Sequence, residues 1–299
     1  MQIWFKSYGD LGRDITKNFD KFSGDWDLVV GIPRSGMVPA YMIALALNVN
    51  CTDISSWVNN YPLKKGVTRG LRKELSSPWD AEKVLIVDDS IMSGKSLKSE
   101  IDALPDWLAS RASTLAVYSS KPIRNDVDII LDFLPHPRAF EWNIFHHNVM
   151  SRSCICLEGM ISEGGPGGDK DAMCFRYIPS RIIDTIVTCQ NESSRHEVEA
   201  FLASCGISYQ NLVMADNDTN VMAMDSLVRF KVETFMASAA ELFIEENSDQ
   251  ARLICQGARK PVFCLRDNCI YNPGDEIGTR LIKNKVKFLM WRIVNSKMR

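Results

Sequence analysis

Three apolar runs decide what this chain can fold into. DLVVG at 27–31, KVLIVDD at 83–89 and STLAVYSS at 113–120 are nearly continuous in apolar residues instead of alternating with polar ones. A strand wetted on one face alternates, whereas a strand apolar on both faces has to be covered on both. Segments with helical spacing lie between the runs: Asp10 to Phe22, VPAYMIALAL at 38–47, and KSLKSEIDALPDWL from Lys95. This alternation predicts a parallel sheet with helices on both faces. CTDISSWV at 51–58 reads as a further strand, and residues 59–82 as a long polar connection.

A second α/β unit follows. CICLEGMIS at 154–162 reads as a strand running into a turn, EGGPGGDKD at 163–171 as a loop and RIIDTIVTC as a strand. SSRHEVEAFLASCGI reads as an amphipathic helix stopped at Gly206. ELFIEENS and RKPVFCL add strands around the helix QARLICQGA. At 299 residues the chain has room for two domains. The expected division is 1–149, 150–279 and a C-terminal tail, 280–299, whose sequence RLIKNKVKFLMWRIVNSKMR carries seven basic residues and no acidic one.

Composition narrows the function classes. A formal net charge of -2 lacks the basic excess of a nucleic-acid-binding protein. The nine cysteines form no C-x-x-C pair, which fits reduced thiols in a cytoplasm, and with four histidines a structural zinc site is not expected. The first twenty residues contain no signal-peptide core, and no stretch approaches the roughly 18 apolar residues of a membrane span.

The chemistry concentrates in VLIVDDSIMSGKSL at 84–97, where a buried strand ends in two carboxylates and a short Ser/Gly loop opens the next helix. In open α/β sheets, ligands sit beyond the carboxyl ends of the strands. Loop amides and a helix N-terminus favour a phosphate, and Ser90, Ser93 and Ser96 add hydroxyl donors. Asp88 and Asp89 would repel that phosphate, so they suit a sugar diol or a diol carrying Mg2+.

This stretch resembles the 5-phosphoribosyl pyrophosphate (PRPP) motif of type I phosphoribosyltransferases. The resemblance implies that Asp88 and Asp89 hold the ribose hydroxyls, that Ser90, Ile91, Met92, Ser93, Gly94, Lys95 and Ser96 cradle the 5-phosphate, and that Mg2+ arrives with PRPP. GIPRSGMVPA at 31–40 resembles the family's pyrophosphate loop and assigns Arg34, Ser35 and Gly36 to the leaving group. Asp88, Asp89 and Arg34 are thus the expected catalytic residues. KKGVTRGLRKE stands where the family has a mobile loop, with Lys64, Lys65, Arg69, Arg72 and Lys73 as candidates to close over pyrophosphate.

The second half resembles a haloacid dehalogenase-type phosphatase, from AFEWNIFHHNVMSRSCICLEGMIS onward. The strand that should end D-x-D-G reads Cys156-Leu157-Glu158-Gly159, so the nucleophilic carboxylate is missing, while Thr188, Lys231 and Glu245 match the later positions. A thiol is a poor Mg2+ ligand, and loss of hydrolysis is expected. A phosphoribosyltransferase joined to such a domain resembles systems that place ribofuranose on bacterial surface polysaccharides. That resemblance implies a lipid-linked or oligosaccharide glycan acceptor and a separate phosphatase; the basic tail is compatible with contact with the inner face of an anionic membrane, and equally with a terminal helix packed on the second domain. Nucleobase salvage and a non-enzymatic PRPP sensor are the alternatives, and the first family's members are often homodimers.

Overall fold

The computed structural model describes residues 2–64, 66, 70–163, 173–175, 177–215 and 224–275. The chain divides into two compact units, Trp4–Asn143 and a second that runs from Ile144 and includes the residues up to Ile3. Ile3 is buried and joined to Asn272, whose Oδ1 accepts from the Ile3 amide at 2.8 Å.

In the first unit β1 (Trp4–Lys6) precedes α1 (Tyr8–Lys17), α2 (Phe19–Phe22), β2 (Leu28–Gly31), α3 (Met37–Leu47), β3 (Asn50–Asp53) and α4 (Ile54–Val58). Then come β4 (Val84–Ile91), α5 (Lys95–Asp102), α6 (Asp106–Ala109), β5 (Ala112–Ser119), β6 (Ile129–Phe133) and β7 (Arg138–Phe140). The sheet order is β3-β2-β4-β5-β6, all parallel. Successive strand residues serve opposite cores. Val29, Leu85, Val87, Leu115 and Val117 pack with Leu11, Ile15, Phe22 and Ile43 of α1–α3. Leu28, Val30, Val84, Ile86 and Ala116 pack with Trp57, Leu97 and Leu108 of α4–α6. Each such side chain contributes about 1.5–3 kcal/mol by leaving water, which is why the apolar runs do not alternate.

Three expectations need correction. The stretch 51–58 is not one strand: the Asp53 carboxylate accepts from the Ser56 amide at 2.9 Å, and this N-cap ends β3 and starts α4. The helix expected over 10–22 is two, because Asn18 folds its side-chain amide back onto the Asp14 carbonyl between them. The division falls at 143/144 rather than 149/150. Arg138–Phe140 pairs in parallel with Trp4–Lys6, and Phe140 and Trp142 pack into the first core. Residues Ala139–Trp142, grouped by resemblance with the second half, therefore belong to the first.

The second unit contains β8 (Ser153–Cys156), α7 (Leu157–Met160), an antiparallel pair β9 (Ile161–Glu163) and β10 (Met173–Phe175), β11 (Ile183–Asn191), α8 (Arg195–Ser204) and β12 (Tyr209–Ala215). It continues with α9 (Met224–Ala237), β13 (Leu242–Glu245), α10 (Ser248–Ala258), β14 (Val262–Cys264) and β15 (Cys269–Tyr271). The sheet order is β12-β11-β8-β13-β14-β15, parallel except for β15. Phe235, Phe243, Ala251 and Ile254 fill its core around Cys154 and Val187. The tail 280–299 and most of the loop 163–171 lie outside the described residues, among which no helix is long and apolar enough to cross a membrane.

Candidate functional site

The carboxyl ends of β2 and β4 meet in the first unit. The Ile32 amide donates to the Val87 carbonyl at 2.9 Å, so the loop after β2 starts flush against the strand that carries the acidic pair. A Cβ on Gly36 would stand 2.6 Å from the Ile32 carbonyl oxygen, 2.9 Å from that of Val87 and 3.1 Å from Asp88 Cα. Only glycine lets the loop lie this close, and the position is fixed by contact, not by torsion.

Asp88 and Asp89 are both buried, at 8% and 3% exposure. Asp89 is held on both sides: Oδ1 accepts from Ser35 Oγ at 2.9 Å and Oδ2 from Trp142 Nε1 at 2.6 Å. Asp88 Oδ1 accepts from the Asp89 amide at 2.9 Å. Burial, reinforced by the adjacent Asp89 carboxylate, pushes Asp88 up to about 8. Two carboxylates confined together are relieved by a divalent cation or by hydroxyls that donate to them. Among the described residues no group of three or more His, Cys, Asp or Glu forms a metal cage. The pair therefore fits Mg2+ only if most of the ion's ligands come with a bound substrate.

The following loop is tied at its base. The Ser120 amide donates to the Ile91 carbonyl at 3.0 Å, and Arg138 Nη2 donates to the same oxygen at 3.0 Å. Ser120 Oγ and Arg124 Nη1 donate to the Met92 carbonyl at 3.1 and 2.8 Å. Gly94 has φ +84, and a Cβ there would meet Asp126 Oδ2 at 2.2 Å and Arg124 Nη2 at 2.6 Å. The Arg124–Asp126 ion pair thus closes over a glycine in the left-handed region, the conformation glycine tolerates best. α5 has glycine at its N-cap and no acidic residue in its first turn, and only the Lys95 amide meets a side chain, Ser93 Oγ at 3.4 Å, so its amides and dipole present positive potential next to exposed Ser93, Lys95 and Ser96. Arg34 is exposed on the neighbouring loop.

The site expected from the sequence divides accordingly. Arg34, Ser35, Gly36, Asp88 and Asp89 are brought to one edge of the sheet, where the loop from Met92 to Ser96 also starts. Ser90 remains in β4, paired with Tyr118, and the Ile91 side chain is core. Arg72 stands apart from these residues. Its guanidinium bonds the Gly24 carbonyl and Asp25, and Lys73 pairs with Asp27 at 2.7 Å. All three partners precede β2, at the end opposite its pyrophosphate-like loop. Lys65 and Arg69 lie outside the described residues. Trp142, Arg138 and the Arg124–Asp126 pair were not legible in the motif. The one sequence signal was the short aromatic stretch RAFEW, placed past the expected last strand of the first sheet.

The second unit gathers its own polar group where β8, β11 and β13 end. Cys156, Thr188, Lys231 and Glu245 are each at most 3% exposed. Lys231 Nζ bonds Glu245 Oε2 and Gln250 Oε1, both at 2.7 Å. Cys156 Sγ donates to Glu158 Oε2 at 3.1 Å, while Glu158 Oε1 accepts from Thr188 Oγ1 and the Cys189 amide, each at 2.6 Å. Burial, then Glu245 and Glu158, push the Cys156 thiol well above its ordinary value, so it is protonated at neutral pH. The five residues singled out from the sequence therefore form one cluster.

Residues 6–148 match the family model described as phosphoribosyl transferase domain. A xanthine-guanine phosphoribosyltransferase of Cereibacter sphaeroides is 34% identical over 111 residues, covering 36% of this chain and 61% of that protein. The bifunctional protein PyrR of Leifsonia xyli is 30% identical over 117 residues, covering 33% of this chain and 63% of that protein. The chain thus spans about three fifths of the length of these curated relatives. A solved xanthine-guanine-hypoxanthine phosphoribosyltransferase of Helicobacter pylori is 18% identical with a TM-score of 0.35, covering 48% of this chain and 95% of that one. The parallel five-stranded sheet and the acidic pair at the end of its central strand both lie within the residues that match the phosphoribosyl transferase domain.

Proposed function

We propose that this chain transfers the 5-phosphoribosyl group from PRPP to a ring nitrogen of a nucleobase and releases pyrophosphate. The observation that carries the reading is the buried Asp88–Asp89 pair set between the Gly36 loop and the Gly94 start of α5. Asp88 and Asp89 accept hydrogen bonds from the ribose hydroxyls. The amides and hydroxyls from Met92 to Ser96 hold the 5-phosphate, and Arg34 with the amides of Ser35 and Gly36 receives the pyrophosphate. In the reaction the bond from ribose C1 to pyrophosphate breaks and its electron pair leaves with the pyrophosphate. The acceptor nitrogen forms the new bond and loses its proton. Asp88 and Asp89 would also help hold an Mg2+ ion brought by PRPP, which would supply charge neutralisation on the leaving group. The chain itself positions and stabilises, and it needs no nucleophile of its own.

A nucleobase, rather than the glycan hydroxyl that the two-domain resemblance implies, is supported by the relative named as a xanthine-guanine phosphoribosyltransferase. The test is pyrophosphate release from PRPP and Mg2+ with a panel of purine and pyrimidine bases beside glycan acceptors. Release with a base supports the reading. Release only with a glycan replaces the acceptor, and PRPP binding without any turnover supports a sensor instead.

For the second unit we propose a haloacid dehalogenase-like scaffold without hydrolysis. The parallel order β12-β11-β8-β13-β14, with Thr188, Lys231 and Glu245 at the ends of the strands and the helix that face them, supports the scaffold. A protonated Cys156 in place of the nucleophilic carboxylate supports the loss of hydrolysis. Cys156→Ala is expected to leave any phosphate release by the full chain unchanged, and a clear loss would refute this assignment.

A further inference from the structure

The antiparallel hairpin at the edge of the second sheet brings two cysteines face to face. β14 and β15 pair with Val262 opposite Tyr271, Phe263 opposite Ile270 and Cys264 opposite Cys269. Residues directly opposite in an antiparallel pair carry their side chains on one face, with Cα atoms about 4.5 or 5.5 Å apart. A disulfide needs Cα atoms about 4.4–6.8 Å apart, so either kind of pair lies within its span. The core fixes which face this is. Val262 and Cys264 belong to the apolar cluster with Ala251 and Ile254 of α10, and Tyr271 packs against it, so Cys264 and Cys269 turn to that same side. Cys264 is buried, and its sulfur accepts from the amide of the turn residue Asp267 at 3.4 Å while its S–H reaches the Glu246 carbonyl at 3.6 Å. Burial holds this thiol above its ordinary value, whereas the Asp267 amide favours its thiolate. Cys269 is only half-buried, and β15 is an edge strand, so a small oxidant reaches the pair from this side.

We propose that Cys264 and Cys269 are a reversible dithiol–disulfide site, oxidised by a low-molecular-weight disulfide such as oxidised glutathione and restored by the corresponding thiol. The Cys269 thiolate, its proton lost to solvent, attacks one sulfur of the oxidant. The other sulfur leaves as a thiolate with the electron pair of the broken S–S bond. Cys264 then loses its proton and attacks the Cys269 sulfur of the mixed disulfide, expelling the second small thiolate. Both small thiolates take up protons, so two protein thiols are oxidised and one disulfide is reduced to two thiols. The new bond closes the hairpin along the register it already has, and the sheet need not move. What changes is Cys264, which gives up the proton it shares with the Glu246 carbonyl, one residue beyond the Glu245 that pairs with Lys231. With Leu265 to Asn268 between them, the two cysteines escape a search for C-x-x-C pairs, and only the strand register reveals them. The inference uses the second sheet alone and depends on neither phosphoribosyl transfer nor the loss of hydrolysis.

The experiment equilibrates the full-length chain with mixtures of reduced and oxidised glutathione, traps the remaining thiols by alkylation and digests with trypsin. Cleavage after Arg266 separates the two cysteines, so their disulfide joins peptide 260–266 to peptide 267–280. The joined pair is expected from the native chain and should disappear on reduction. A six-residue spacing lets the unfolded chain close the same bond, so the equilibrium is measured in guanidinium as well. The native register should favour the disulfide at least about tenfold over the denatured chain. By linkage the oxidised protein should then melt about 3–5 °C higher for each such factor of ten. Recovery of the two peptides separately, alkylated or carrying glutathione, overturns the proposal, and so do equal equilibrium constants in the native and denatured chains. Cys269→Ser and Cys264→Ser should each abolish the joined peptide and the melting shift on oxidation. An equal shift in either would assign the effect to other cysteines and refute the site. If Cys264→Ser does not fold, the half-buried Cys269→Ser decides alone.

Discussion

Replacing Asp88 by asparagine should stabilise this chain above neutral pH while destroying donor binding. Asparagine keeps the oxygen that accepts from the Asp89 amide and removes one of two carboxylates confined in a buried site. The Asp88 pKa rises from 3.8 to about 8 through burial and then through Asp89. Between those values the folded state holds a proton that the unfolded state has released, so stability falls as pH rises through that window. At about 1.4 kcal/mol per pH unit, the full shift would correspond to roughly 5–6 kcal/mol. Water reaching the edge of the sheet and relaxation of the pair reduce this to on the order of 2–3 kcal/mol. For a domain of this size that is a rise in melting temperature of about 5–10 °C. The assay is thermal melting of wild type and Asp88→Asn from pH 5 to pH 9, beside calorimetric titration with PRPP and Mg2+. The stability gap should be small at pH 5 and full above pH 8, and donor binding should be lost throughout. A gap that does not grow with pH, or an asparagine variant less stable than wild type at pH 8.5, refutes the electrostatic account. Such an exchange of stability for binding is expected where a site concentrates like charge for its ligand.

Other perturbations probe the remaining contacts. Gly36→Ala forces a Cβ to within 2.6 Å of the Ile32 carbonyl oxygen, so PRPP affinity measured by calorimetry should fall at least about tenfold, and unchanged affinity would show that the loop need not lie against β4. Trp142→Phe keeps the aromatic packing against Phe140 but removes the 2.6 Å bond to Asp89. A weakening of PRPP binding by about tenfold is expected, and wild-type affinity would mean that Asp89 does not depend on this tether. Lys231→Met leaves Glu245 buried without its cation and should cost about 3–5 kcal/mol in urea denaturation, much of it recovered by adding Glu245→Gln. A loss under about 1 kcal/mol would indicate that water replaces the ammonium.

The first sheet was legible because its evidence is local. A strand buried on both faces has to be apolar at every residue, so DLVVG, KVLIVDD and STLAVYSS announce themselves without reference to anything distant. The same holds for the site's core: a strand end, two carboxylates and a loop that begins a helix occupy consecutive residues, and consecutive residues of a strand–loop–helix junction are necessarily neighbours in space. The split of 51–58 at Asp53 was missed because an N-cap competes with strand pairing at a single residue, and a β-rich composition conceals it.

What the sequence determined by itself, then, is the two α/β units, the edge of the sheet at which Asp88 and Asp89 lie, and the residues of the second cluster. What only the tertiary structure decided is how those groups are held. Trp142 reaches Asp89 across 53 positions of chain, Arg124 and Asp126 close over Gly94, and Arg72 turns away from the site to Asp25. The inward turn of Glu158 onto Thr188, 30 residues away, belongs with them. Periodicity reports which face of an element is dry, because that depends on the element alone. A hydrogen bond between side chains of different elements depends on strand order and register, which arise only when the sheet closes around its core.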